Sequence, residues 1–270
     1  MKKTITFLSL PLFLATTPAI AQDFGGNITL GYNMQQLDPD GYDSGEAAGV
    51  RLDGSIGGSV GALGYQLDIS NETLEDIDDP DAHSDHSSLV LHAFYDFGGV
   101  KAGVFYGTAD ATQDFFSDES NVTWMGVEVS GNVGPVAVAA QFGQSDNDST
   151  HNSLDHSGEQ YLALTGAMDV SSTLSLSGGL ATGDGIVHSD GYTLTNAWLE
   201  GAYEVGSSGV ELVVRLDKYA YRGDGAPGGA LDESSVFIGA RYSFGNPSAT
   251  PMPVVDFPVR LSHASAQADN

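Results

Sequence analysis

The segment FGGNITLGYNMQ, residues 24–35, alternates apolar and polar side chains without interruption. In an extended chain one face would carry Phe24, Gly26, Ile28, Leu30, Tyr32 and Met34, and the other Asn27, Thr29, Gly31, Asn33 and Gln35. A period of two is typical of a β-strand that separates two different environments. The segment therefore predicts a strand with one apolar and one polar face.

Twelve segments of this kind follow one another between Phe24 and Phe244, joined alternately by long and tight connections. The long connections lie near residues 37–46, 76–86, 109–120, 146–157, 184–193 and 222–232, and the tight ones near 61–63, 98–99, 131–134, 169–172 and 206–209. A soluble sandwich also alternates along its strands, but it does not sort its loops by length in this way. The pattern predicts an all-β fold, a closed antiparallel transmembrane β-barrel of about 12 strands with long external loops and short periplasmic turns.

The two ends of the chain differ from this pattern. Lys2 and Lys3 precede an apolar run and the small-residue site Ala19-Ile20-Ala21, so residues 1–21 are predicted to be a cleaved signal peptide. The barrel is assigned to residues 22–245. Residues 246–270 contain four prolines and are predicted to form a disordered periplasmic tail. A tail that folds back to plug the lumen is the alternative.

Composition excludes several functions. The whole chain has a net charge of −27, and the leader contains two of the nine Lys and Arg and none of the 36 Asp and Glu, so the mature chain has a net charge of −29. This acidity argues against a nucleic-acid partner. The chain has no cysteine, which removes thiolate chemistry and Cys-ligated metals. We predict no cofactor and no metal.

The last predicted strand ends in the motif GARYSF, residues 239–244, in which Gly239 precedes two alternating aromatic residues, Tyr242 and Phe244. This motif resembles the terminal-strand signal for membrane insertion in the outer-membrane porin and porin-like β-barrel superfamily of Gram-negative bacteria. The resemblance implies a location in the cell outer membrane. It also implies contacts with outer-membrane lipid and lipopolysaccharide, and delivery by the barrel-assembly machinery. The oligomeric state stays open.

The resemblance and the polar faces together predict a porin-like channel for passive diffusion of small polar solutes. The predicted pore-lining residues are Arg51, Asp53, Asp68, Asp96, Lys101, Glu128, Glu200, Glu204, Glu211, Arg215, Asp217 and Arg241. Because acidic residues outnumber basic ones, we expect a preference for cations. Phe115 and Phe116, in the third long loop, are candidates for a constriction.

Several alternatives remain. The interior charges could pair across a packed, non-conducting structural or adhesive barrel. The spacings His86–Ser88 and His151–Ser153 are similar to those of lipid-hydrolysing barrel enzymes, although no catalytic residue is predicted. Trp124 and Trp198 fall in the inward phase, but a bulge would return them to the lipid interface, which we prefer.

Overall fold

The computed structural model describes residues 24–39, 44–77, 83–113, 118–149, 156–187, 190–223, 230–246 and 252. Within these residues the fold consists of twelve antiparallel strands. They are β1 (Gly25–Pro39), β2 (Gly45–Val60), β3 (Leu63–Asp76), β4 (His83–Asp96), β5 (Val100–Gln113), β6 (Asp118–Val133), β7 (Val136–Ser149), β8 (His156–Asp169), β9 (Leu174–Val187), β10 (Asp190–Glu204), β11 (Val210–Gly223) and β12 (Ala230–Gly245). The predicted signal peptide lies outside the described residues.

The sheet closes into a barrel because β1 pairs with β12 as well as with β2. The closing seam runs in continuous register from Gly25↔Gly245 to Pro39↔Leu231. Every strand also pairs with its neighbour in sequence, which confirms the predicted closed antiparallel barrel. We call the end of the barrel that contains the short connections the turn end and the opposite end the loop end.

The strands are longer than the sequence pattern suggested. Each contains 14–16 residues, whereas a tilted strand needs about 9–11 residues to cross a hydrocarbon core. The predicted loop at residues 109–120 is largely strand, since β5 continues to Gln113 and β6 begins at Asp118. Main-chain pairing continues past the apolar belt, as in Asp110↔Asn121, because it does not require an apolar face.

The two faces of the sheet separate as predicted. Outward side chains form an exposed apolar belt, with Leu30 54% and Val127 56% exposed. Around the turn end, aromatic rings gather on the outer surface, and the Tyr95 and Phe97 centroids are 4.8 Å apart. None of the described residues forms a helix long and apolar enough to cross a membrane.

Three aromatic residues lie inside the barrel, and two of them, Trp124 and Trp198, correct the predicted position at the lipid interface. Tyr219 is 5% exposed and lies inside, because it is out of phase with the outward Leu216 and Lys218. Trp124 is 2% exposed and half-buried Trp198 also lies inward. The register of β6 and of β10 with both of their neighbours is continuous, so no bulge turns either ring outward.

Each tryptophan lies across a glycine on the neighbouring strand. Trp124 pairs with Gly107 and Trp198 with Gly179. A Cβ atom at either glycine would collide with the indole ring. The missing side chains therefore provide the space in which the two rings lie flat against the barrel wall.

We expect Gly107→Ala to destabilise the barrel by about 1–3 kcal/mol, because the added methyl group displaces a ring that is packed on its other side. The measurement is equilibrium unfolding by guanidinium in detergent micelles. Gly201→Ala is the matched control, since its nearest non-neighbouring atom would be a Leu176 methyl carbon at 3.6 Å. Equal stability of the two variants would show that the ring has room to move.

Candidate lumen site

His92, on β4, lies at the centre of the barrel interior between two carboxylates. Its Nε2 is 2.8 Å from Asp68 Oδ2, and its Nδ1 is 2.9 Å from Glu128 Oε2. The side chains of all three residues are at most 1% exposed. Nδ1 is hydrogen-bonded to Glu128, and Nε2 is in ion-pair contact with Asp68. A carboxylate oxygen at each ring nitrogen favours the doubly protonated imidazolium, because a neutral imidazole has only one N–H.

Neutral side chains support both carboxylates. Ser55 donates to Asp68 Oδ1 in a short hydrogen bond, and Gln66 Nε2 lies 2.9 Å from Asp68 Oδ2. Farther along the same side of the barrel, Gln141 Nε2 donates to Glu128 Oε2 at 3.0 Å. We call these six residues the central network: Ser55, Gln66, Asp68, His92, Glu128 and Gln141. The network joins β2, β3, β4, β6 and β7, which lie within one contiguous half of the barrel.

A second group of charges lies on β1–β3. Arg51 Nε is 2.9 Å from Asp53 Oδ2, and Ser70 donates to Asp53 Oδ1 at 2.7 Å. Asn33 donates to Glu72 at 2.7 Å. Arg51, Glu72 and Asn33 are at most 8% exposed. These polar side chains are therefore shielded from water and do not line an open aqueous lumen.

A third group lies on β10–β12. Arg215 contacts Asp217 through Nη2 at 2.7 Å, and its guanidinium carbon lies 4.7 Å from the centroid of the Trp198 ring. Arg241 contacts Glu200 at 2.7 Å and Glu211 at 3.5 Å. Each arginine is therefore paired with a carboxylate along the wall.

Apolar and aromatic side chains fill the interior toward the loop end. We call this cluster the aromatic layer, and its members are Val90, Phe105, Ala109, Val122, Trp124, Tyr161, Ala163, Ala181, Leu194, Tyr219 and Tyr221. Each is at most 8% exposed. Side chains that line a water-filled channel would be accessible to water. Burial of this kind shows that these eleven side chains are packed and do not line open water.

A cavity of about 620 Å³ lies at the turn end of the interior. Asp96, Lys101, Trp198 and Arg241 line it, with small residues of β6–β9 such as Ala139, Thr165 and Ser177. The small residues create the space, because nothing larger extends from that wall. Met252 also lines this cavity and is 3% exposed, although it lies beyond the last strand.

The structure places all twelve residues predicted to line the pore on the inward phase of their strands or at its rim. Asp68 and Glu128 meet at His92, while Arg51–Asp53, Arg215–Asp217 and Arg241–Glu200–Glu211 form pairs along the wall. Asp96 accepts hydrogen bonds from the N–H groups of Gly98 and Gly99 at the turn end. Lys101 lies 5.8 Å from the Phe94 ring centroid, and Glu204 is half-buried at the rim.

Several other predicted residues lie outside the described part of the chain or do not fit the role considered for them. Phe115 and Phe116 lie outside the described residues, as do His151 and Ser153. His86 is 7% exposed and points inward, with Glu72 directly opposite on β3, so it does not face the lipid where an acyl chain would lie. Among the residues that the structure describes, no group of three or more His, Asp or Glu could hold a metal ion. Gly239, Tyr242 and Phe244 lie in β12, and their role as an insertion signal stays a prediction.

Sequence reasoning missed His92, Gln66, Gln141 and Met252 as site residues. A histidine in the inward phase of a strand is a signal that could have drawn attention to position 92. The contact between Gln66 and Met252 leaves no such signal in the sequence, because the two residues are 186 positions apart.

No protein-family model matches the sequence, and no curated protein matches it. Solved structures do match. The translocator domain of the autotransporter NalP from Neisseria meningitidis has 16% identity and a TM-score of 0.46, with 84% of this chain and 90% of that chain covered. The KdgM porin in complex with disordered oligogalacturonate has 11% identity and a TM-score of 0.46, with coverage of 80% and 99%. OpdO of Pseudomonas aeruginosa has 14% identity and a TM-score of 0.38, with coverage of 83% and 98%. These similarities concern the barrel as a whole.

We expect His92→Leu to destabilise the barrel by about 3–5 kcal/mol, because it leaves two buried carboxylates without their shared cation. Adding Glu128→Gln should recover part of the loss, since one of the two charges is then gone. Unfolding midpoints in guanidinium measure both effects.

His83→Leu is the control, because His83 is exposed at the loop end and should change stability by at most about 0.5 kcal/mol. A His92→Leu variant as stable as this control would mean that the imidazolium does not hold the network together.

Proposed function

We propose that the protein is a porin-like channel of the outer membrane that is closed at rest and passes small polar solutes, cations in preference to anions, when its interior loosens. The observation that carries this proposal is the central network of ionisable side chains buried at mid-height.

Burying charged side chains inside a barrel costs free energy, because the charges lose their hydration. Replacing buried ion pairs by apolar residues of similar volume is often neutral or stabilising, and ionisable residues at membrane depth commonly mark a path for ions or polar solutes. A barrel that served only as a stopper would be more stable with an apolar interior throughout. The chain instead places His92, Asp68 and Glu128 where they are almost wholly removed from water.

The sign of the interior charge supports cation preference. Inward described residues include the basic side chains Arg51, Lys101, Arg215 and Arg241. The acidic ones include Asp53, Asp68, Glu72, Asp76, Asp96, Glu128, Glu200, Glu204, Glu211, Asp217 and Glu233. Rings of carboxylates favour cations over anions in a narrow pore.

The outer surface supports the location. The exposed apolar belt fits a hydrocarbon core, and the aromatic rings at the turn end fit the headgroup region. An even number of strands puts both chain ends on one side, which in bacterial outer-membrane barrels is the periplasmic side. Long acidic segments then lie outside the cell, where divalent cations can bridge them to lipopolysaccharide.

A non-conducting structural barrel is the second candidate. The aromatic layer favours it, because its eleven side chains are packed against one another and almost wholly buried. The two candidates differ in one respect: a channel has an open state that weaker packing should populate, and a structural barrel does not.

We expect Trp124→Ala combined with Tyr161→Ala to open the barrel. Each change removes packing worth about 3–5 kcal/mol from the closed state, which can shift a closed–open equilibrium by more than about tenfold. Single-channel recording in planar bilayers measures the time spent open. Tyr106→Ala combined with Phe142→Ala is the matched control on the outward face. A folded double variant as silent as this control would favour the structural barrel.

We expect Glu200→Lys combined with Glu204→Lys to weaken the cation preference of the open channel, because both carboxylates lie inward near the periplasmic rim. The reversal potential in a salt gradient reports the ratio of cation to anion permeability. Glu75→Lys combined with Asp110→Lys makes the same change in net charge at exposed outward positions and should leave the ratio unchanged. Unchanged selectivity in the inward variant would remove these residues from the pathway.

A further inference from the structure

Gln66 and Met252 form a reciprocal pair of hydrogen bonds inside the barrel. The main-chain N–H of Met252 donates to Gln66 Oε1 at 3.0 Å, and Gln66 Nε2 donates to the main-chain oxygen of Met252 at 2.7 Å. Gln66 is 0% exposed and Met252 3% exposed. The side-chain amide thus satisfies both main-chain groups of one residue, as a neighbouring strand would.

The sequence around Met252 makes this pairing selective. Met252 stands between Pro251 and Pro253. Because proline has no main-chain N–H, Met252 supplies the only main-chain donor of this tripeptide. Gln66 accepts from that single donor. A residue that precedes proline is also biased toward an extended conformation, in which its N–H and C=O are available to a partner.

The number of residues between the last strand and Met252 limits how far apart the two can lie. The N–H of Asn246 donates to the Phe24 main-chain oxygen at 3.0 Å, at the end of the β1–β12 seam. Six residues lead from there to Met252, and six extended residues span at most about 20 Å. Met252 therefore lies within about 20 Å of the end of the β1–β12 seam, the end of the barrel nearer to Gln66.

The barrel holds Gln66 ready for this contact. Asp68 fixes the amide, because Gln66 Nε2 also lies 3.0 and 2.9 Å from its two carboxylate oxygens. With the nitrogen directed at Asp68, the Oε1 atom is directed away from that carboxylate and toward the donor that Met252 supplies. Asp68 is in turn bound to His92, so the contact continues into the central network.

We propose that the cavity at the periplasmic end is a binding site for an extended, proline-flanked peptide, and that its resident ligand is the chain's own C-terminal segment, which Gln66 recognises at Met252. The site would be vacated only when this pairing breaks, or when another peptide of the same kind replaces it. This binding does not depend on whether the barrel conducts.

Because the sequence contains no cysteine, the reaction of a single introduced thiol can be followed without background. Met252→Cys keeps the main-chain groups and introduces a single thiol, whose reaction with a bulky water-soluble maleimide is followed in the folded full-length protein. Ser172→Cys, in an exposed turn, gives the unprotected rate. We expect the thiol at position 252 to react at least about tenfold more slowly, since both hydrogen bonds must break first.

Two perturbations identify the cause of the protection. Gln66→Leu should bring the rate at position 252 to within about threefold of the Ser172→Cys rate, because both hydrogen bonds are lost. Gln144→Leu, the same change at an exposed outward position, should not. Folding of each variant is checked by its heat-dependent mobility on gels.

A competing peptide needs no change in the barrel wall. The peptide ATPMPVVD, residues 249–256, should expose the thiol at about 5 mM, since a tethered segment acts at millimolar effective concentration. The peptide ATPPPVVD has no N–H at the central position and should not. Two results would overturn the proposal: equal rates at positions 252 and 172, or protection that neither Gln66→Leu nor the first peptide relieves. None of these readouts involves ion flow, so failure of the proposed channel would leave them interpretable.

Discussion

The structure depends on one constraint, that the main-chain N–H and C=O groups of a sheet must pair with one another where water does not reach them. An open sheet of twelve strands would leave two unpaired edges, and each unsatisfied group removed from water costs a few kcal/mol. The β1–β12 seam removes both edges at once. Once the sheet is closed, every strand has one outward face and one inward face. The period of two in the side chains then follows from the environment alone.

The interior meets a second demand, which is to fill a barrel too wide for the side chains of its walls to meet everywhere. The chain uses two kinds of packing. Toward the loop end it uses rings, two of which rest on glycines of the adjacent strand. At mid-height it uses charges that His92 links from β3 to β6 along one side of the interior. At the turn end small residues leave a cavity, and Met252 enters it. Buried polar groups of this kind tolerate few rearrangements, because each one depends on its partners.

The sequence was sufficient for the fold because the fold repeats. Alternation predicted which side chains face outward, and the sorting of loops by length predicted closure. An error arose where a bulge was assumed that the pairing of Trp124 with Gly107 does not contain. Strand ends were misplaced because main-chain pairing continues through acidic segments. The site was only partly predictable. Inward charges such as Asp68 and Glu128 could be identified by phase, but their meeting at His92 depends on curvature of the sheet, and the contact of Gln66 with Met252 depends on the path of a segment that has no periodicity.

The seam has a consequence for the order of events during folding. The pairs that close the barrel join residues far apart in the chain, from 220 positions for Gly25↔Gly245 to 192 positions for Pro39↔Leu231. Contacts of such long sequence separation are slow to form, because the loop entropy is lost before the contact is made. Until β12 arrives, β1 presents an unpaired edge to any other extended chain. Phe237, whose ring lies over both Gly31 and Gly239, crosses this junction and is available only when the last strand is in place. The vulnerable period in the life of this protein is therefore the interval between synthesis of its first strand and docking of its last.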